Sequence, residues 1–178
     1  GGQHLGAPAA ASVALFGCQV SRTHWPLKLP PLEWTGRLLL KRFGEISGSR
    51  FKRGPEDEPA GVLIEAMRWN GLFGRFGEGK NDWWKGLADV DVPLLAVSAA
   101  GDHQDPDWAC RKLFEQVGSE HRQYLCLGRQ QGFSGDFGHV EMLVSKAAQT
   151  EVWPLVAQWL KDPLTPLFGA SAAAVAEV

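Results

Sequence analysis

The stretch from Val92 to Leu160 constrains the fold of this chain most. It opens with a short apolar run, Pro93-Leu94-Leu95-Ala96-Val97-Ser98, which ends at Ala99-Ala100-Gly101-Asp102. Asp105-Pro106-Asp107 then reads as a helix start, with Asp105 as the capping residue and Pro106 in the first helical position. Ala109, Leu113 and Val117 fall on one face of that helix, and Gly118 stops it. A second apolar run, Gln123-Tyr124-Leu125-Cys126-Leu127, leads through a Gly-rich loop to Phe137-Gly138-His139. Val152, Leu155, Val156, Trp159 and Leu160 follow at helical spacing, with Pro154 in the first turn, where proline costs least. The pattern is β-α-β-α, two parallel strands joined by a right-handed crossover. It places one acid and one histidine at the ends of neighbouring strands.

Composition narrows the function classes. The chain has 178 residues and a formal net charge of -2, with no basic stripe of the kind that grips nucleic acid. The basic knot Arg50-Phe51-Lys52-Arg53 is answered at once by Glu56-Asp57-Glu58 and reads as a solvated loop. Cys18, Cys110 and Cys126 are odd in number and lack metal-like spacing, so neither a zinc site nor a disulfide framework is expected. Small buried thiols fit a reducing, cytoplasmic setting. No apolar run is long enough to span a membrane. The abrupt start at Gly1-Gly2, without Met, predicts a fragment of a longer protein.

Upstream of the organising stretch, Gly1 to Ala11 reads as the start of a packed helix, broken at Pro8, and Ser12 to Phe16 as a short buried strand closed by Gly17. Trp25-Pro26 and Pro30-Pro31 mark a loop. Helices are predicted from Pro31 to Phe43, with Leu32, Leu39, Leu40 and Phe43 as the apolar face, and from Pro59 to Trp69, with Val62, Leu63, Ala66 and Trp69. Gly71 to Lys85 is Gly-rich and aromatic. Four segments result: 1–21, a helix and strand; 22–88, a helical insertion without a convincing strand, placed as a cap over the sheet; 89–161, the core carrying the acid and the histidine; and 162–178, an Ala-rich, loosely ordered tail. Trp25, Trp69, Phe73 and Trp84 are candidates to face the space beneath the cap, although packing of the cap is the more ordinary use of such rings.

The chemistry centres on Asp102 and His139. Asp105 has a local task, capping the next helix, whereas Asp102 has none, so Asp102 is the expected functional acid. His121 lies among Ser119, Glu120 and Arg122 and reads as solvated; His103 adjoins Asp102, but neighbours on a loop diverge. His139 follows a buried strand and a glycine loop, and Gly138 allows close backbone approach. An oriented base of this kind serves a nucleophile. None is convincing within the chain. Gly132-Phe133-Ser134-Gly135-Asp136 has the wrong fifth residue and lies in the histidine's own loop, and Cys18 is followed by no helix start.

Gly1-Gly2-Gln3 opening an Ala-rich helix is what should follow a nucleophile serine. Together with Pro93 to Asp102, and with Phe137-Gly138-His139 running on through Glu151-Val152-Trp153 to Trp159-Leu160, it makes the chain resemble the C-terminal part of an α/β-hydrolase. Trp25-Pro26, then Pro59-Ala60-Gly61 with Glu65, Arg68 and Trp69, is similar to a bacterial subgroup of little-characterised hydrolases, in which a Ser-x-Gly-Gly-Gln elbow opens this segment. The resemblance implies an α/β fold, the C-terminal part of a mostly parallel α/β-hydrolase sheet with an inserted helical cap. It implies a Ser-His-Asp hydrolase of carboxylic esters or thioesters, with Asp102 and His139 in this chain, the serine two residues upstream of Gly1, and no metal or cofactor. The chain alone would then be inactive. A non-catalytic module binding a small apolar ligand or a partner, and an acyltransferase, are the alternatives; oligomeric state is left open.

Overall fold

A computed structural model describes residues 10–21, 28–46 and 58–167. The predicted helix at residues 1–11 lies almost wholly outside them, as do Trp25-Pro26, the basic knot and most of the Ala-rich tail. The chain forms two compact units, one of Gly1–Gln19 with Leu87–Val178 and one of Val20–Gly86. In chain order the elements are β1 (Val13–Phe16), α1 (Pro30–Phe43), β2 (Glu45–Ile46), β3 (Glu58–Pro59), α2 (Ala60–Asn70), β4 (Gly77–Glu78), β5 (Asn81–Asp82), α3 (Trp83–Gly86), β6 (Leu94–Ala99), α4 (Asp107–Gln116), β7 (Arg122–Leu127), α5 (Glu141–Val144) and α6 (Trp153–Lys161).

The first unit is mixed α/β, built on a parallel sheet in the order β1-β6-β7. Val13 pairs with Leu94 and Phe16 with Val97; Leu94 pairs with Arg122 and Ala99 with Leu127. Every residue of the central strand β6 is buried. Its alternate residues serve two cores. Leu95, Val97 and Ala99 pack with Leu125, Leu127, Phe137, Met142, Val152 and Trp159. Leu94 and Ala96 pack with Val117 and, more peripherally, with Leu15, Phe114 and Tyr124. A strand covered on both faces has no polar side to show, which is why this run reads as continuously apolar.

Helix α4 begins one residue later than predicted. Pro106 stands at its N-cap with an extended ψ of 150°, and no side chain caps it, so Asp105 does not do the work the sequence suggested. At the other end, the Arg122 guanidinium reaches back to the carbonyls of Phe114, Glu115 and Val117 and satisfies the orphan acceptors of the helix. The closing segment runs α5, a π-helical turn at Ala148–Val152, then α6 with Pro154 in its first turn. Val152 and Trp159 are fully buried as predicted, whereas Leu160 is exposed, at the margin of the stripe. The start of the tail is tied down: the Gln123 carboxamide donates to the Thr165 carbonyl at 3.1 Å and accepts from the Leu167 N–H at 2.8 Å.

The second unit is mainly helical. Helices α1 and α2 pack together, with Met67 lying against Gly36. Leu32, Leu39 and Phe43, read from the sequence as part of the apolar face of α1, are exposed; no residue of α1 is fully buried. Two antiparallel ladders of two residues each, β2 with β3 and β4 with β5, occur where no strand was predicted. The β4–β5 turn depends on Gly79 at φ 56°. Trp69, Phe76 and Trp83 form a trio in which each pair meets edge to face, with centroids 5.1, 5.8 and 5.4 Å apart. Trp69 is therefore spent on packing its own unit, and Phe73 is 86% exposed.

Candidate active site

The acid turn is stitched to its surroundings by backbone. Ala100 N–H donates to Leu127 O, at the end of β7, and Gly101 N–H to Phe137 O, in the histidine loop, both at 3.0 Å. A Cβ on Gly101 would stand 2.7 Å from the Asp136 carbonyl, so only glycine admits the histidine loop this close. Asp102 follows, 2% exposed. Its Oδ1 accepts the N–H groups of Gln104 at 2.8 Å and Asp105 at 2.9 Å. Its Oδ2 lies 2.8 Å from Nδ1 of His139. A buried carboxylate is tolerable only when its lone pairs are used, and these are.

The histidine loop is held by carboxylates. Asp136 Oδ1 accepts the Arg129 N–H at 2.9 Å, Glu151 Oε2 the Ser134 N–H at 3.0 Å, and Glu141 Oε2 the Gly138 N–H at 2.9 Å. The Ser134 hydroxyl and N–H together hold the Glu151 carboxyl below its ordinary pKa. Gly138 faces the Glu141 carboxylate rather than another stretch of backbone; the close backbone approach predicted there occurs at Gly101 instead. Phe137 and Met142 are buried on either side in sequence and anchor His139, whose side chain is 33% exposed. Gly17, at the end of β1 with φ 54°, completes the setting: a Cβ there would lie 3.2 Å from Nδ1 and Cε1 of the ring.

Two residues here were missed or misread in the sequence. Asp105 Oδ2 lies 3.4 Å from the same His139 Nδ1, and its Oδ1 accepts from Gln19 Nε2 at 2.7 Å. The Asp-Pro dipeptide signals a helix start so strongly that it hid this second task, and a loop glutamine carries no sequence signal at all.

The remaining candidates do not join the pair. His103 and His121 are exposed, and His4 and His24 lie outside the described residues. Among the described residues no serine, threonine or cysteine side chain hydrogen-bonds the His139 ring. The Cys18 thiol donates to Phe16 O, and burial, with the Asp105 charge adding, pushes its pKa up, the reverse of an activated nucleophile. Ser98 is fully buried, with its hydroxyl 2.5 Å from Asp107 Oδ1, which also accepts the Tyr124 hydroxyl at 2.9 Å. That cluster fastens α4 to the sheet.

Asp102, Asp105 and His139 each bring one potential ligand atom within 4.8 Å of the others. A cation there would have to displace the Asp102–His139 hydrogen bond and compete with two backbone donors on Oδ1 and with Gln19 on Asp105, so the arrangement suits an oriented imidazole better than a metal. An imidazole whose Nδ1–H is held by a buried carboxylate keeps its other nitrogen bare, and can accept a proton there. No described helix is long and apolar enough to cross a membrane.

No protein-family model matches the sequence, and no curated protein matches it. The chain is similar to solved structures of α/β-hydrolase fold. One is BpoC from Mycobacterium tuberculosis H37Rv, named as a candidate non-heme bromoperoxidase, at 13% identity and a TM-score of 0.49 over 88% of this chain and 59% of that one. Another is a thermophilic esterase from Thermogutta terrifontis, at 14% identity and 0.49 over 87% of this chain and 57% of the esterase. A third is Rv0554 from Mycobacterium tuberculosis, at 11% identity and 0.47 over 86% and 57%. The chain thus spans between 57% and 59% of the length of these structures.

Proposed function

We propose that residues 1–178 are the C-terminal part of a serine hydrolase of α/β-hydrolase type that cleaves a carboxylic ester or thioester. The observation that carries this reading is the 2.8 Å contact between His139 Nδ1 and a buried Asp102 whose other oxygen is already saturated by backbone. Asp102 fixes the tautomer and stabilises the imidazolium. Nε2 of His139 takes the proton of a serine supplied upstream of Gly1, and that serine attacks the acyl carbonyl. His139 then returns the proton to the leaving alcohol or thiol, and water, activated in turn by His139, releases the acid. Residues 22–88 are the inserted helical segment of this reading. The three free thiols fit a reducing, cytoplasmic protein.

The test is a fluorophosphonate probe on the complete protein and on residues 1–178, with the labelled site mapped. Labelling of an upstream serine, absent from the shorter chain and lost with ester hydrolysis when that serine becomes Ala, is the expected result. His139→Ala should lower kcat/KM by about 10³-fold or more, and a chelator should leave activity unchanged. Labelling at Ser134 overturns the nucleophile assignment. A folded complete protein that neither labels nor hydrolyses any short-chain ester is a binding module instead, and preferential transfer of the acyl group to an added alcohol marks an acyltransferase.

A further inference from the structure

We propose that Asp105 is a second acid for His139, a positioning residue that shares the Nδ1 side of the ring with Asp102 and is aimed there by Gln19. The inference rests on the hydrolase reading for its kinetic consequence but not for its geometry. Three distances define it: Asp102 Oδ2 at 2.8 Å and Asp105 Oδ2 at 3.4 Å from the same nitrogen, and Gln19 Nε2 at 2.7 Å from the other Asp105 oxygen.

The two acids are held in different ways. Asp102 is fully buried and clamped by its own turn, with Oδ1 receiving the N–H groups of residues 104 and 105. Asp105 has a side chain 22% exposed, and its fixed point is distant in sequence: Gln19 lies just beyond the end of β1, 86 positions away. The Gln19 carboxamide occupies one Asp105 oxygen and so presents the other to the ring. Asp105 N–H is itself one of the donors to Asp102, so the two carboxylates are mechanically joined.

One N–H makes one good hydrogen bond, and at 2.8 Å Asp102 holds it; 3.4 Å is beyond the usual range. Asp105 therefore acts in two other ways. It places a second negative charge beside the imidazolium that forms when His139 accepts a proton, where a neutral amide would place none. It also stands within a small side-chain movement of Nδ1, ready to take the N–H if Asp102 can no longer accept it. A capping aspartate would do neither, and among the described residues no side chain forms a capping hydrogen bond at the start of α4.

The experiment is a double-substitution cycle on the complete protein, with Asp102→Asn, Asp105→Asn and both, read by ester kinetics and by the ¹⁵N shifts of the His139 ring, which report the nitrogen that carries the proton. A lone acid replaced by Asn loses about 10⁴-fold in kcat through the wrong tautomer. Here Asp102→Asn should lose about 10²-fold and keep the proton on Nδ1, and the double variant should lose the further factor and move it to Nε2. Asp105→Asn alone should lower kcat by about tenfold with KM unchanged, and Asp105→Glu should recover part of it. Gln19→Ala in the Asp102→Asn background should approach the double variant. The inference is overturned if Asp102→Asn already matches the double variant in both readouts, or if Asp105→Asn changes only stability. Failure of the hydrolase reading looks different: the ring shifts follow the predicted order in a protein with no esterase activity.

Discussion

Gly101 donates its N–H to the Phe137 carbonyl at 3.0 Å, and this bond joins the backbone of the acid turn to that of the histidine loop. The contact is possible because nothing projects from Gly101 toward the carbonyls of Asp136 and Phe137, which a Cβ would meet at 2.7 and 2.9 Å. Both obstacles are backbone and cannot swing aside. Gly101→Ala should therefore push residues 136–138 outward, cost about 1–3 kcal/mol in urea unfolding, and separate Asp102 from His139. Wild-type stability together with an unchanged His139 ring spectrum would show that the loop yields freely.

Gly17 tests the same ring from the end of β1, where it approaches Nδ1 and Cε1. Its φ of 54° and the 3.2 Å approach of a Cβ to His139 and Met142 both disfavour a side chain. Left-handed backbone costs a non-glycine residue about 1–2 kcal/mol, but the sharper effect falls on the imidazole. Gly17→Ala should rotate or displace the ring, and under the proposed hydrolase mechanism a misplacement of this size lowers kcat by up to about 10²-fold. Kinetics on the complete protein and the ¹⁵N spectrum of His139 check it; loss of stability without a spectral change would confine Gly17 to a packing role.

What the sequence made legible follows from how far each signal reaches. The β6 run announces itself because it is buried on both faces, and the positions of Asp102 and His139 follow from the strand order around it. Asp105 was assigned to the helix because Asp-Pro is a local signal, whereas its link to Gln19 spans 86 positions and leaves no trace in any window. Periodicity predicted an apolar face on α1 but cannot say what covers it, and Leu32, Leu39 and Phe43 are exposed. Ladders of two residues, such as Gly77–Glu78 with Asn81–Asp82, are too short for a period of two to be seen.

The thiols give a prediction about accessibility. Burial pushes Cys110 up to about 12 and Cys126 up to about 11, with the charges of Asp105 and Asp107, respectively, adding to it. Burial, and after it Asp105, also raises Cys18, which is only half-buried. Since the thiolate is the reactive form, native protein at pH 8 should alkylate with iodoacetamide about 10²-fold more slowly than unfolded protein. Mapped by mass spectrometry, Cys18 should react first and Cys110 last. Early labelling of Cys110 would mean that α4 opens readily from the sheet.

Asp107 sets the acid limit of the fold. Burial disfavours its charge, but hydrogen bonds from Ser98, Tyr124 and Cys126 and the nearby Arg111 outweigh that cost, and its carboxyl lies below the ordinary value. A depressed carboxyl contributes stability that is complete above its unfolded pKa, about 3.9, and is lost as pH falls through the lower folded value. Asp107→Asn keeps the shape but gives up the charge-assisted bonds, and should cost about 1–2 kcal/mol at pH 7. The gap between wild type and variant should hold from pH 7 to about pH 4 and close only below that. Other carboxylates, Glu151 among them, titrate in both proteins and cancel from the difference. Urea unfolding of both proteins at half-unit steps from pH 7 to 3 measures it. A gap that closed near pH 6, or one that widened in acid, would remove the Asp107 carboxylate from the forces that hold α4 against β6 and β7.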